Sequence, residues 1–247
     1  MAMMDLQKPW PFGLSRTSWP YFVVGVVCLL ILIGFIDAAA SRSAIGWPEQ
    51  WRAPFFLITD YGLSERILIP SFVMTILLRL AMFPLSGVWK KASGELAQIF
   101  AFVFVGIGTP VLLVSVLKRL IGRGRPSEYE TAGSFSFQNF FNDWAFQSFP
   151  SGHSATAVAL AFVIGFMWPA VFPFLFVVGL IVAVSRVPVG AHYPTDVFAG
   201  IVIGMIGAYL VRNFFAHKGW LFEQRDDGRI VRKPLPGLRQ VIQRAAE

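Results

Sequence analysis

Cysteine is almost missing from this chain. Cys28 stands alone among 247 residues, so no internal disulfide can form. Charge is scarce too: Asp, Glu, Lys and Arg make up 14% of the residues and hydrophobic types 55%, where a soluble domain carries about a quarter charged. Histidine occurs three times, and acids are outnumbered by bases, 14 to 21. The shortage of charge excludes an ordinary soluble domain and implies one membrane-embedded domain. The excess of base does not imply a nucleic-acid partner. Lys and Arg gather at the ends of apolar runs and in the C-terminal segment, as membrane topology requires.

What the chain does have is long apolar runs, each near the length of a bilayer crossing. They cover about Tyr21 to Ala40, Ile67 to Leu85, Leu96 to Leu117, and Pro194 to Arg212. The stretch from Ser151 to Val184 is too long for one crossing, and Pro169 and Pro173 break it into two. The expectation is an all-α, integral-membrane six-helix bundle: residues 1–18 form an N-terminal segment, 19–215 the membrane domain and 216–247 a basic tail. Ala38-Ala39-Ala40 resembles a signal-peptide cleavage site. The apolar run before it is longer than a signal core and follows a long polar leader, so a retained anchor is expected. Of the 21 Lys and Arg, 13 fall in the N-terminal segment, at the end of the second run with its loop, and in the tail. The positive-inside rule then puts both termini in the cytoplasm and the 118–150 and 185–196 segments on the outer face.

Three stretches on that face concentrate the chemistry. KRLIGRGRP contains Lys118, Arg125 and Pro126; PSGH runs from Pro150 to His153; SRVPVGAHYPTD contains Ser185, Arg186, His192 and Asp196. A charge held at the edge of a membrane costs several kcal/mol (about 3, by insertion scales), so it needs a reason. A phosphate ester supplies one. Its oxygens call for fixed cations such as Lys118, Arg125 and Arg186. Ser151 and Gly152 at a helix mouth offer a capping hydroxyl, free N–H groups and room for close approach. His153 and His192 fit a nucleophile and a proton donor, and Asp196, four residues after His192, fits the acceptor that fixes a histidine tautomer. Each motif alone is ordinary helix punctuation. Together they place eleven specified residues in order on one face.

K-x6-RP, PSGH and SR-x5-H-x3-D resemble the signature of the type 2 phosphatidic-acid phosphatase superfamily, without a departure at any signature position. The motifs span residues 118–196, and the six-run layout extends the likeness over most of the chain. The resemblance implies a helical fold with a metal-independent, cofactor-free site at the outer membrane–water boundary of a bacterial inner membrane. It also assigns what the residues alone leave open, namely which histidine attacks. His192 is implied as the nucleophile forming a phospho-histidine, Asp196 as its orienter and His153 as general acid. Lys118, Arg125, Ser151, Gly152 and Arg186 are implied to hold the phosphate. The implied reaction removes a terminal phosphate from lipid A, phosphatidylglycerol phosphate, phosphatidic acid or undecaprenyl pyrophosphate. The competing readings are a lipid phosphotransferase using the same site, a vanadium haloperoxidase, and an anion transporter, which gives no reason for His192 and Asp196.

Other features carry plainer expectations. His217 lies beyond the sixth run and is read as interfacial, as are Trp10, Trp19, Trp47, Trp51 and Trp220. The basic tail is read as touching anionic head groups. Arg119 and Arg123 lie off the specified positions and are read as solvated at the outer surface or widening the positive field. SFSFQNFFNDWAFQSF, Ser134 to Phe149, reads as an interfacial aromatic helix that could wall the site, with Phe140 and Phe141 against lipid. WPEQWRAPFFLITDYG, before the second run, reads as closing the site from the other side.

Overall fold

The chain is mostly helical in the computed structural model, which describes residues 4–129, 133, 135–140 and 143–246. Nine helices can be named among these residues. α1 (Trp19–Gly34) starts at a Pro in its first turn and buries none of its residues. Tyr21, Leu32 and Ile31 are more than half exposed, so this helix needs an apolar surrounding medium. α2 (Asp37–Ile45) follows at a bend of 54°. The first apolar run was expected to continue straight to Ala40; it breaks after Gly34 instead, and the bend carries Asp37 inward.

α3 (Glu49–Thr59) leads through a short 3-10 turn to α4 (Glu65–Ala81). α5 (Gly87–Ile121) is 35 residues long and overshoots both ends of the expected third run. It stops at Gly122, whose φ of +65° is left-handed and whose N–H returns to the Lys118 carbonyl at 2.9 Å. α6 (Gly152–Met167) and α7 (Phe172–Val184) are separated at Trp168–Val171, where the prolines predicted a break. α8 (Pro194–His217) opens on Pro194. By length and hydropathy α5 and α8 can each cross a membrane, and the bent pair α1–α2 makes a third candidate among the described residues.

α6 is the centre of the bundle, packed against α5, α7 and α8. Its apolar face joins Phe102, Phe162, Phe172, Tyr209 and Phe215 in one core. Contact with α8 is close because two glycines permit it. A Cβ on Gly200 would fall 2.4 Å from the Ser151 carbonyl oxygen, and one on Gly204 2.5 Å from that of Ala155. Membrane helices commonly approach along such small-residue seams.

One end of the bundle is closed by the chain's two ends. The buried Arg212 donates to the carbonyls of Leu6, Lys8 and Pro9 and stacks over Phe166 at 4.4 Å. The all-α expectation needs one correction: beyond α8 lies an antiparallel hairpin of β1 (Phe222–Gln224) and β2 (Ile230–Arg232). Phe222 and Ile230 are buried in the core, which makes a strand pair with one apolar face worth forming here. α9 (Pro236–Ala245) then returns to α5, where the Glu95 carboxylate accepts from the N–H groups of Gly237 and Leu238 at 3.0 and 2.8 Å. The opposite end carries the three motifs.

Candidate active site

Local structure brings the motifs together in simple steps. The last turns of α5 present Lys118. Gly122 then reverses the chain, and a Cβ there would strike the Gln138 carbonyl oxygen, so the return path demands glycine. On that return lie Arg123 and Arg125. Ser151 caps α6, its hydroxyl accepting from Ser154 N–H at 3.4 Å and Ser154 Oγ at 2.8 Å. Its own N–H donates to the Asp196 carbonyl at 2.9 Å, tying the start of α6 to the start of α8. A Cβ on Gly152 would lie 4.0 Å from Lys118 Cε, so this glycine faces the lysine across the cradle. In the loop before α8, the N–H groups of Ala191 and His192 return to the Arg186 carbonyl.

All eight sequence-predicted residues lie at this end. Lys118 Nζ donates to the Gln147 carbonyl at 2.9 Å. Arg125 Nε donates to the Trp144 carbonyl and its terminal nitrogen to that of Ala191, both at 2.9 Å, with the guanidinium 3.8 Å over the Trp144 ring. Arg186 donates to Thr59 Oγ1, and its buried Nε meets no acceptor among the described residues. Among the described residues none of these three cations forms a salt bridge. Burial, then Arg186, pushes Arg125 down to about 10, and burial likewise pushes Arg186 to about 10. Two buried arginines and a half-buried lysine held mainly by neutral oxygens favour an incoming anion.

His192 is 1% exposed and lies within electrostatic reach of Lys118, Arg125, Arg186 and His153. Burial first, then those charges, holds it well below 6.5, so the ring is neutral. Its Nδ1 stands 3.6 Å from Asp196 Oδ2, beyond hydrogen-bond range, and has no other partner among the described residues. The reason lies in what else the carboxylate holds. Asp196 Oδ2 accepts from Ser148 Oγ at 2.5 Å and from Tyr193 N–H at 2.9 Å, and Oδ1 accepts from Arg123 at 2.7 Å. Catalytic hydrogen bonds are often long in the free enzyme and shorten around substrate.

Several site residues escaped the sequence reading. Arg123, expected either to be solvated at the outer surface or to widen the positive field, is 5% exposed and is bound to Asp196, Asp37 and Thr195. Two buried carboxylates demand a cation, and Arg123 is the one the Gly122 turn delivers to them. Asp37 had a visible signal as the one acid inside the first apolar run. Ser148 had none. The segment before α4 does wall the site: Thr59 holds Arg186, Arg52 Nε donates to the Pro188 carbonyl at 2.9 Å, and Gly62 lies so close to His153 that a Cβ would sit 2.9 Å from His153 Cβ. Of the aromatic segment, Ser134, Phe141 and Asn142 lie outside the described residues. The described part holds a short 3-10 turn at Trp144–Phe146 rather than a longer helix.

An apolar cavity of about 630 Å³ adjoins the Arg123 network. It is lined by α1, Phe135, Phe137 and Phe149, with Asp37, Arg123 and Thr195 in its wall. None of the eight predicted residues lines it. Among the described residues no three His, Cys, Asp or Glu side chains come together as a metal-binding group.

The class so defined is a mostly helical membrane protein with the ionisable groups of the three motifs gathered at one end of the bundle. The profile of the PAP2 superfamily matches residues 99–220. A lipid A 1-phosphatase of Rhizobium johnstonii is 34% identical over 227 residues, covering 90% of this chain and 91% of that one. Phosphatidylglycerophosphatase B of Bacillus subtilis is 30% identical over 190 residues, 72% of this chain and 82% of that one. The crystal structure of a transmembrane PAP2 type phosphatidylglycerolphosphate phosphatase from Bacillus subtilis aligns with TM-score 0.48 and 25% identity, over 77% of this chain and 94% of that chain. The chain belongs to the PAP2 superfamily. It is a membrane lipid phosphatase of PAP2 type, a phosphoric ester hydrolase.

Proposed function

We propose that this phosphatase removes a terminal phosphate from a lipid on the outer face of a bacterial inner membrane, through a phospho-histidine on His192. The observation that carries the reading is a set of three cations that form no salt bridge among the described residues, the buried Arg125 and Arg186 and the half-buried Lys118, around a neutral buried histidine. A phosphate monoester supplies the charge they lack. In the proposed cycle Lys118, Arg125, Arg186, the Ser151 hydroxyl and the backbone at Gly152 hold the non-bridging oxygens. His192 Nε2 attacks phosphorus, with Asp196 accepting from Nδ1–H. As the P–O bond to the lipid breaks, His153 gives its proton to the departing oxygen. His153 then takes a proton from water, whose oxygen attacks the phospho-histidine and frees inorganic phosphate.

Relatives named for lipid A 1-phosphate and phosphatidylglycerophosphate support a lipid phosphomonoester, and the lipid A relative matches over more of this chain. Lipid A is therefore the first substrate to test. Six crossings, with both termini cytoplasmic, residues 19–215 as the membrane domain and 216–247 as a basic inner segment, complete the proposal. They agree with the 13 of 21 basic residues found on the termini's side.

The test is phosphate release by purified protein in detergent micelles from lipid A, phosphatidylglycerol phosphate, phosphatidic acid and undecaprenyl pyrophosphate, with EDTA present. Release from one lipid, abolished in His192→Ala and in His153→Ala, is the expected result. No release from any of them by folded protein refutes hydrolysis and turns the search to a lipid phosphate acceptor.

A further inference from the structure

Three charged side chains stand in a row behind the neutral nucleophile, His192. Asp37, near the start of α2, is 1% exposed; Arg123 is 5% exposed, Asp196 0% and His192 1%. Arg123 reaches Asp37 Oδ2 at 2.8 Å with one terminal nitrogen and Asp196 Oδ1 at 2.7 Å with the other. Thr195 closes the arrangement: its hydroxyl accepts from Arg123 at 2.7 Å and donates to Asp37, while its N–H donates to Asp37 Oδ1 at 3.0 Å. The guanidinium also lies 4.2 Å over the Tyr193 ring. A planar fork gripping two carboxylates fixes both in direction, which a point charge does not.

Why should a phosphatase bury two acids and a base behind its histidine? Asp196 has a double task. Its Oδ2 caps the Tyr193 N–H and accepts from Ser148, and the same oxygen faces His192 Nδ1. An orienting carboxylate works only while it stays a carboxylate. If it carried the proton itself, it would donate to Nδ1, move the ring proton to Nε2 and block the attacking nitrogen. In a buried site a carboxylate without a countercharge takes up that proton.

We propose that Arg123, held by Asp37, is the positioning residue that keeps Asp196 charged and aimed, so that α2 completes the orientation of His192. This extends the phospho-histidine reading above and rests on it. Arg123 touches neither phosphate nor leaving group in this scheme; it acts through Asp196. Burial would lower its basicity, but the Asp196 and Asp37 carboxylates outweigh that and raise it. The three phosphate-holding cations do not duplicate the role, because they are committed to the anion. When the phosphate arrives their charge is largely neutralised, and Arg123 remains as the countercharge of Asp196.

The test uses the full chain in detergent micelles with nitrogen-15 in its three histidine rings, assigned through His153→Gln and His217→Gln. Lys118 on α5, Arg125 on the return loop, His153 on α6, Arg186 before α8, and Tyr193 all face His192 or Asp196, so each variant is followed across pH with these groups intact. Wild-type His192 is expected to carry its proton on Nδ1, and Arg123→Gln to move it to Nε2. On a short-chain soluble phosphate ester, Arg123→Gln should lower kcat about 10- to 100-fold, as loss of an outer-shell orienter does. KM and the inhibition constant of inorganic phosphate should stay within about twofold. Asp37→Asn should lose less, and the double variant no more than Arg123→Gln alone, because Asp37 acts only through Arg123. Arg123→Lys, which keeps the charge but not the fork, guards against a misfolded Gln variant. It should retain the Nδ1 proton and recover part of kcat. An unchanged tautomer in Arg123→Gln, losses that multiply in the double variant, or phosphate affinity falling in step with kcat would each overturn the proposal. The tautomer is read without turnover. A wild type that hydrolyses nothing therefore refutes the phosphatase cycle while the ring spectrum still decides the clamp.

Discussion

Replacing Gly200 with Ala tests whether the seam between α6 and α8 sets the geometry of the reaction. The added Cβ would lie 2.4 Å from the Ser151 carbonyl oxygen and 3.0 Å from Ser154 Cβ, where ordinary contact begins at 3.4 Å. The obstruction is backbone, so no side chain can rotate away. The helices must part by about 1 Å at this level. His153 and Ser151 ride on α6, Asp196 on α8 and His192 just before it, so the displacement falls between the proposed acid and the proposed nucleophile. A misplacement of about 1 Å costs on the order of 100-fold in rate. Overpacking also destabilises by about 1–3 kcal/mol. The control is Gly207→Ala, whose Cβ would meet Pro110 Cβ at 2.7 Å. It lies about 10 Å further along α8 at 1.5 Å per residue. Both variants should unfold at lower temperature in micelles, while kcat on a soluble phosphate ester should fall about 100-fold only in Gly200→Ala. A Gly200→Ala enzyme with normal kcat, or equal losses in the two variants, would refute the argument that this contact aligns the site.

Further outcomes follow from single contacts. A neutral buried His192 should keep the acid limb of the activity profile below pH 6.5; a limb above that value would contradict its environment. The same shift acts on stability. The unfolded chain binds a proton at His192 below about 6.5 and the folded one does not, so stability falls as pH drops below that value by about 1.4 kcal/mol per unit. His192→Gln should lose this part of the slope, as read by denaturation in micelles at pH 5 and 7. Thr59→Val removes the hydroxyl that accepts from Arg186 and should raise the inhibition constant of inorganic phosphate about tenfold, the effect of one hydrogen bond to a charged group. An unchanged constant would mean that Thr59 does not place Arg186. Gly62→Ala pushes on His153 Cβ. It should slow alkyl phosphates, which need a proton on the leaving oxygen, while sparing aryl phosphates such as p-nitrophenyl phosphate. Equal slowing of both would deny His153 its part as acid.

Apolar length was the legible part of the fold, and its errors share one cause. The break at Trp168 and the start at Pro194 were marked by prolines, whose effect is local. The bend after Gly34 was not marked in that way, because α2 turns to bring Asp37 onto Arg123 and Thr195, residues about 86 and 158 positions away. The hairpin after α8 was hidden for the same reason. Two three-residue strands have no sequence signature of their own; Phe222 and Ile230 pair because the bundle offers both a place in its core. Local pattern reports local preference, and these elements are set by distant partners.

The site divides along the same line. Lys118, Arg125, Ser151, Gly152, His153, Arg186, His192 and Asp196 could be read because their spacing is fixed by helix ends that the sequence marks. Composition could not reveal how the charges sort themselves. KRLIGRGRP offers four cations within eight positions, Lys118 to Arg125, and nothing in their order says which will meet acid. The structure separates them by burial and partner. Arg119 stays at the exposed surface, Arg123 takes both buried carboxylates, and Lys118 and Arg125 are left with carbonyl oxygens. That sorting is what makes an anion site. Had Asp37 been absent, Arg123 would still have had Asp196; had Arg123 been absent, Asp196 would have been left buried without its countercharge and would have taken up a proton. One arginine spent on two acids thus leaves the others available, and the same contact that orients the histidine keeps the cradle positive.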